Sequence, residues 1–224
     1  MLLEQLREDI VFYGRQMLKY GLTMHTGGNL SARDKESGLI VIKPTNIPYD
    51  RLEPEQVPVL DENGKIIEGK YAPSSEWPMH TMIFRTYPRV KGVVHCHSIY
   101  ATACSVAGCE IPLINHEISV FCSSNVRIAP FEIPGSIELA KSAIKGFGDD
   151  NCVTLLQNHG PIAMGATLWH AFDAACAAEQ AAATFYITKM LGNVVPVPEA
   201  GRAILRADDP LTDPNSDDTF IKSV

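Results

Sequence analysis

Three histidines lie in sequence contexts that are typical of metal ligands. His95 and His97 flank Cys96 at the end of one apolar run, and His159 follows a second apolar run over residues 152–156. Because alternate side chains of a strand share a face, we predict that His95 and His97 point one way and Cys96 the other. Three imidazoles that leave one coordination position open suit a catalytic divalent metal, with zinc the first expectation.

Glu76 is the carboxylate that could do acid/base chemistry beside such a metal. It stands at a predicted helix start, behind Ser74 and Ser75. A carboxylate in this place can stabilise the helix dipole, act as a general acid/base or serve as a fourth metal ligand. His80 lies one helical turn further on and could orient it.

Small polar residues form three clusters that could hold a phosphate without a cationic side chain. Backbone N–H groups in glycine-rich turns, hydroxyls and helix N-termini all bind oxyanions, although the same residue types also make ordinary turns. The candidate phosphate residues are Gly28, Asn29, Thr45, Asn46, Ser74 and Ser75.

The composition limits the classes of partner. Among 224 residues, 46% are hydrophobic, and 19 basic against 26 acidic side chains give a net charge of -7. We therefore expect no binding to nucleic acid or to an anionic membrane.

The charged N-terminus is not expected to be a secretory signal, and the longest uncharged stretch is too polar to span a bilayer. The six cysteines form no C-x-x-C pair, which favours buried, reduced thiols in a cytoplasmic protein.

Helical and strand patterns alternate along the chain and predict one α/β domain over residues 1–195. The strands over 90–97 and 152–156 would carry the three histidines, and a helix beginning near 74–78 would carry Glu76. Residues 196–224 form a tail that is first rich in proline and then acidic. We expect it to be partly disordered or docked on a neighbouring subunit.

Taken together, these motifs resemble the class II aldolase/adducin family, in family order and over about residues 1–195. The joint occurrence is far more specific than any one motif. The matching segments are T-G-G-N-L-S from Thr26, K-P-T-N-I-P-Y-D from Lys43, P-S-S-E-W from Pro73, H-C-H at His95 and Q-N-H-G at Gln157.

The resemblance implies a three-layer α/β/α fold with a central, mostly antiparallel sheet, in a C4 homotetramer with sites between subunits. By position, His95, His97 and His159 become ligands of one Zn²⁺ per subunit, with Mn²⁺ or Co²⁺ also possible. Glu76 becomes the acid/base and a further metal contact, and the six candidate phosphate residues become the cradle of a phosphorylated sugar.

The branch that cleaves L-fuculose 1-phosphate is the most similar one. The expected reaction is cleavage of a ketose 1-phosphate to dihydroxyacetone phosphate and an aldehyde such as L-lactaldehyde, through a zinc-stabilised enediolate. The sequence departs from this branch in three places. Asn46 replaces a glycine, His116 before Glu117 stands where the branch has a tyrosine, and no tyrosine follows Tyr186.

Three competing functions stay open within the family. An L-ribulose-5-phosphate 4-epimerase would use the same bond cleavage, but that branch usually has Asp in place of Glu76 and a longer stretch before the third histidine. Here the second and third histidines are 62 positions apart, at 97 and 159. The second is a methylthioribulose-phosphate dehydratase, and the third is a non-catalytic adducin-like binding module.

Overall fold

Eight strands form one sheet in the computed structural model, which describes residues 1–148 and 150–206. Among these strands every neighbouring pair is antiparallel except the pair of β6 and β7. The strands are β1 (Asn29–Arg33), β2 (Ile40–Ile42), β3 (Val59–Leu60), β4 (Ile66–Glu68), β5 (Gly92–His95), β6 (Ile128–Ala129), β7 (Val153–Leu156) and β8 (Gly160–Gly165). Their order across the sheet is β4-β3-β2-β1-β5-β8-β7-β6.

Helices cover the sheet in two groups. The helices are α1 (Glu4–Lys19), α2 (Trp77–Thr86), α3 (Ile99–Ala107), α4 (His116–Phe121), α5 (Ile137–Phe147), α6 (Leu168–Leu191) and α7 (Glu199–Arg206). Helix α6 contacts α1, α3 and α4 as well as β5 and β8, whereas α2 contacts α5. The predicted mixed α/β fold around a mostly antiparallel sheet is therefore confirmed.

Strand β1 shows how the two faces of the sheet are assigned. Asn29 and Ser31 direct polar side chains to residues of the α2 segment, whereas Leu30 and Ala32, which alternate with them, are buried on the other face. Asn29 pairs directly with His95 of β5, so both side chains lie on the α2 face. The candidate site residues lie close together at one end of this face of the sheet.

One predicted element boundary agrees with the structure and one differs. Helix α2 begins at Trp77, within the predicted 74–78, with Glu76 as its N-cap residue and Pro78 in its first turn. The Glu76 side chain makes no capping hydrogen bond, which leaves its carboxylate available to the site. Strand β5 ends at His95 rather than at 97, so His97 belongs to the turn before α3.

The tail is described only as far as Arg206. Helix α7 lies within it and contacts α4 of the same chain, where the Arg206 guanidinium donates to the carbonyl of Val120 at 3.0 Å. Residues 207–224 lie outside the described part. All six cysteines are free thiols, and four of them are buried. None of the helices in the described part is long and apolar enough to cross a bilayer.

Candidate metal and acid/base site

Three imidazole rings converge at the end of β5. His95 Nε2 lies 3.1 Å from His97 Nε2 and 3.2 Å from His159 Nε2. The facing atoms of all three rings lie within 4.8 Å of one another. The predicted grouping of these histidines is thus present in the structure.

Strand pairing brings the third histidine to the other two. Strand β8 pairs antiparallel with β5, and the three-residue loop between β7 and β8 carries His159. Asn158 in this loop has a φ of 57°, a left-handed conformation that asparagine tolerates. Gly160 is required at the end of the loop, because a Cβ there would lie 2.3 Å from the carbonyl oxygen of Cys96.

Burial and repulsion between neighbouring rings oppose protonation of His95 and His97. Burial lowers the pKa of His95 well below its usual value, and positive charge on His159 or His97 would lower it further. Burial also lowers the pKa of His97. The Nδ1 atom of His95 donates to the carbonyl of Pro161 at 3.0 Å, which directs the Nε2 lone pair into the site.

The donor set fits a divalent cation. Tetrahedral zinc with Zn–N bonds of about 2.0–2.1 Å places its ligand nitrogens roughly 3.3 Å apart. The nitrogen separations of 3.1 and 3.2 Å are close to that spacing. His97 is exposed, whereas His95 is fully buried, so the cluster opens to solvent on one side. An open side is what a catalytic rather than a structural metal needs.

The carboxylate of Glu76 lies against this cluster. Its Oε2 is 3.4 Å from His95 Nε2, and its Oε1 is 3.7 Å from His159 Nε2. Only 6% of Glu76 is exposed, and Oε1 has no hydrogen-bond partner among the described residues. A buried carboxylate oxygen without a hydrogen-bond partner destabilises the folded protein unless a cation or a substrate group binds to it. The arrangement fits both predicted roles, acid/base and metal contact.

Asn29 links Glu76 to His80. The Asn29 amide donates to Glu76 Oε2 at 2.7 Å, and His80 Nε2 contacts Asn29 Oδ1. His80 therefore reaches Glu76 through an intermediate residue, and that it orients Glu76 stays a prediction. The sequence motifs predict that Asn29 contacts phosphate alone, and they do not single out Ser31, whose hydroxyl lies 2.6 Å from His80 Nδ1. The only signal in the sequence is that Asn29 and Ser31 are two positions apart, so that both side chains lie on the same face of a strand.

Backbone pairing assembles the three phosphate clusters around Glu76. Thr45 N donates to the carbonyl of Ala72, and Ser74 N donates to the carbonyl of Lys43, both at 3.0 Å. These bonds set residues 43–46 beside residues 72–75. Lys43 N also donates to the carbonyl of Leu30, which brings the loop before β1 to the same place.

Two residues of this cradle have backbones in the left-handed region. Asn46 has a φ of 57°, as expected if asparagine replaces glycine without rebuilding the loop. Gly28 has a φ of 66°, and a Cβ there would lie 2.5 Å from the carbonyl oxygen of His95. The cradle and the metal ligands are therefore in direct backbone contact.

Lys43 is a buried cation whose importance the sequence did not reveal. Its Nζ donates to the carbonyls of Thr26 and Pro44 and lies 4.8 Å from the centre of the Tyr49 ring. Burial lowers its pKa to about 8. The side chain ties the loop of residue 26 to the loop of residue 44 beneath the cradle.

His116, by contrast, is an exposed residue at the start of α4.

Comparison with known proteins adds to this geometry. The family described as Class II Aldolase and Adducin N-terminal domain matches residues 8–186. A 5-deoxy-D-ribulose 1-phosphate aldolase of Bacillus thuringiensis serovar kurstaki is 41% identical over 199 residues, which are 89% of this chain and 92% of that protein.

Solved structures agree with this match. A structure of an L-fuculose 1-phosphate aldolase superposes with a TM-score of 0.87 at 30% identity, over 92% of this chain and 96% of that one. An L-fuculose-1-phosphate aldolase from Thermus thermophilus gives a TM-score of 0.74 at 22% identity, over 87% of this chain and 99% of that one. At that lower identity the likeness shows the fold alone.

Proposed function

The chain belongs to the class II aldolase and adducin family, and on that premise we propose that it is a metal-dependent aldolase that cleaves a ketose 1-phosphate. One observation carries the proposal. Three imidazoles converge with open access to solvent, and a buried carboxylate with one free oxygen lies against them. A binding module of the same fold has no need for that combination.

His95, His97 and His159 would hold the cation, and Glu76 lies close enough to contact it before substrate binds. Zn²⁺ suits three imidazoles, and Mn²⁺ or Co²⁺ could use the same ligands. A divalent cation bound there supplies Lewis acidity that stabilises the negative charge developing on the ketose fragment.

The protein groups account for the remaining chemistry. In retro-aldol cleavage the C4 hydroxyl loses its proton to solvent and the C3–C4 bond breaks, with its electron pair going to the C3 fragment. C3 of the enediolate then accepts a proton to give dihydroxyacetone phosphate. Glu76 Oε1 is the group that would deliver that proton, which it would take up from solvent. Gly28, Asn29, Thr45, Asn46, Ser74 and Ser75 would hold the phosphate, and so fix the sugar remote from the breaking bond.

Two of the relatives suggest two substrates, and both are ketose 1-phosphates. We propose 5-deoxy-D-ribulose 1-phosphate and L-fuculose 1-phosphate as the compounds to test. Cleavage between C3 and C4 releases dihydroxyacetone phosphate from either. The aldehydes differ, since carbon counting gives acetaldehyde from the first and L-lactaldehyde from the second.

The test is release of dihydroxyacetone phosphate from each compound by metal-loaded protein, with and without a chelator. Release that a chelator abolishes and added Zn²⁺ restores is the expected result. No release from either compound would refute the proposal. Assays for an epimer of L-ribulose 5-phosphate and for loss of water from a methylthioribulose phosphate would then distinguish the remaining branches.

We also propose that the protein is a homotetramer with sites between subunits, in which part of the tail docks on a neighbouring subunit. Exposed apolar side chains support this, since Phe131, Ile133 and Ile137 surround Gly135, whose backbone approaches Ser75. Light scattering should give a mass four times that of one chain, and a monomeric mass would refute the assembly. A cytoplasmic location stays a prediction.

A further inference from the structure

A network of buried polar side chains from β1 and α2 leads to Glu76. The proposed reaction does not itself use the part of this network that lies furthest from Glu76. Ser31 and His80 are fully buried, and Asn29 is 3% exposed. The Ser31 hydroxyl lies 2.6 Å from His80 Nδ1, His80 Nε2 contacts Asn29 Oδ1, and Asn29 Nδ2 lies 2.7 Å from Glu76 Oε2. Four side chains from two elements thus form one continuous network.

The carboxylate end sets the direction of every hydrogen bond in this network. An ionised carboxylate only accepts, so Asn29 presents its NH₂ group to Glu76 and its carbonyl oxygen to His80. The carbonyl oxygen only accepts, so His80 carries its proton on Nε2. His80 Nδ1 then accepts from the Ser31 hydroxyl. A neutral imidazole is the one form that both donates and accepts here.

The surroundings of His80 favour that neutral form. Burial lowers the pKa of His80 to about 3, which outweighs the opposing effect of the Glu76 charge. A neutral ring also adds no positive charge behind the three metal-binding imidazoles. The network can therefore hold Glu76 without weakening the affinity of the cluster for a cation.

We propose that His80, fixed by Ser31, is a positioning residue that locks the Asn29 amide and so holds Glu76 Oε2. Glu76 Oε1 is then left free to exchange a proton with the substrate. The inference rests on the proposed function, in which Glu76 is the acid/base. It also gives the Asn29 side chain a task apart from phosphate, which the other five candidate phosphate residues would still hold.

We therefore expect turnover to fall when the residue at position 80 has no N–H group to donate to Asn29. Without His80 the Asn29 amide can rotate, and the Glu76 carboxylate loses its fixed position. A misplacement of about 1 Å in a reacting group costs up to about 100-fold in rate. Binding of the substrate phosphate should change little, because the backbone pairing that forms the cradle does not involve His80.

The experiment compares His80→Leu with His80→Gln in the metal-loaded protein. We expect His80→Leu to lower kcat by about 10- to 100-fold, with KM within about threefold of the wild-type value and with unchanged metal content. His80→Gln retains an N–H donor and should recover most of the lost kcat. His170→Leu is the matched control, because His170 is also a buried histidine but lies at the start of α6. It should keep the wild-type kcat.

Crystal structures of both His80 variants test the positioning separately from turnover. The Glu76 carboxylate should leave its wild-type position in His80→Leu and keep it in His80→Gln. An unchanged Glu76 in His80→Leu, an unchanged kcat, or a His80→Gln variant no better than His80→Leu would overturn the inference. If wild-type protein cleaves no ketose 1-phosphate, the proposed function fails, and the position of Glu76 still decides the inference.

Discussion

At the scale of single residues, the site depends on lone pairs that stay available at neutral pH. The buried His95 ring donates from Nδ1 to a backbone carbonyl, so its Nε2 must accept. Burial and the neighbouring rings oppose its protonation. The carboxylate of Glu76 lies beside these imidazole nitrogens, and this donor set suits a divalent cation rather than an anion.

We predict that His95→Ala loses the bound metal and that the rate of aldol cleavage falls by more than about 100-fold. The basis is that the central ring contacts both other rings, and even outer partners of a metal ligand change affinity by about 10- to 100-fold. Metal analysis of the dialysed protein checks the first part. Full metal occupancy in this variant would exclude the three-histidine site.

Glu76→Gln tests the carboxylate without removing its volume. We expect the variant to fold and to bind metal through the three histidines, while kcat falls by at least about 100-fold, the scale of a lost acid/base. The introduced amide could still accept from the Asn29 side chain, so the loss reports the proton transfer rather than the position. A rate near that of the wild type would remove Glu76 from the mechanism.

At the scale of elements, the site depends on segments that approach one another without room for a side chain. The loop before β1 passes against the carbonyl of His95 at Gly28, and the start of β8 passes against the carbonyl of Cys96 at Gly160. These contacts fix the cradle and the hairpin loop of His159 relative to β5. A displacement of either loop would separate groups that must act on one substrate.

We predict that Gly28→Ala lowers both the stability and the kcat of the protein more than Gly108→Ala does. Both residues have nearly the same backbone, with φ values of 66° and 67°. Alanine in this conformation costs about 1–2 kcal/mol of stability by itself. A Cβ on Gly108 meets nothing within 4 Å, whereas one on Gly28 would lie 2.5 Å from a backbone oxygen.

Urea unfolding of both variants and their kcat values measure this difference. Gly108→Ala should lose about 1–2 kcal/mol and keep its kcat, because only its backbone is strained. Gly28→Ala should be less stable still and lose at least about 10-fold in kcat, on the scale expected for displaced reacting groups. Equal effects in both variants would show that the close contact at Gly28 is unimportant.

At the scale of the whole molecule, buried histidines make stability depend on pH. His170 lies on α6, where the backbone N–H of Ala166 donates to its Nδ1 at 3.2 Å. Burial, with a smaller effect of the Arg206 charge, lowers its pKa to about 4. The unfolded chain therefore binds more protons than the folded protein between about pH 6.5 and pH 4.

The free energy of unfolding should accordingly be highest above pH 6.5 and fall as the pH drops towards 4. One such histidine contributes up to about 1.4 kcal/mol per pH unit in that window. We predict that metal-free His170→Gln shows a slope smaller by up to that amount, measured by urea unfolding at pH 7, 6 and 5. An unchanged slope would mean that His170 is already protonated in the folded protein.

The sequence by itself determined which residues could do the chemistry and which local shapes they adopt. The H-C-H and Q-N-H-G motifs identify the three histidines, and the side chains of Ser136 and Thr167 cap α5 and α6. Asn46 takes the left-handed conformation that its replacement of glycine requires. Such features can be predicted because capping, alternation and turn geometry depend on neighbours within a few residues.

Only the tertiary structure decided which distant residues meet. The placement of β5 between β1 and β8 brings His159 to His95, and the register of β1 against β5 sets Asn29 beside Glu76. The link from His80 through Asn29 and the buried ammonium of Lys43 follow from the same arrangement. Strand order and register are fixed by burying both sheet faces at once, and no local pattern contains that information.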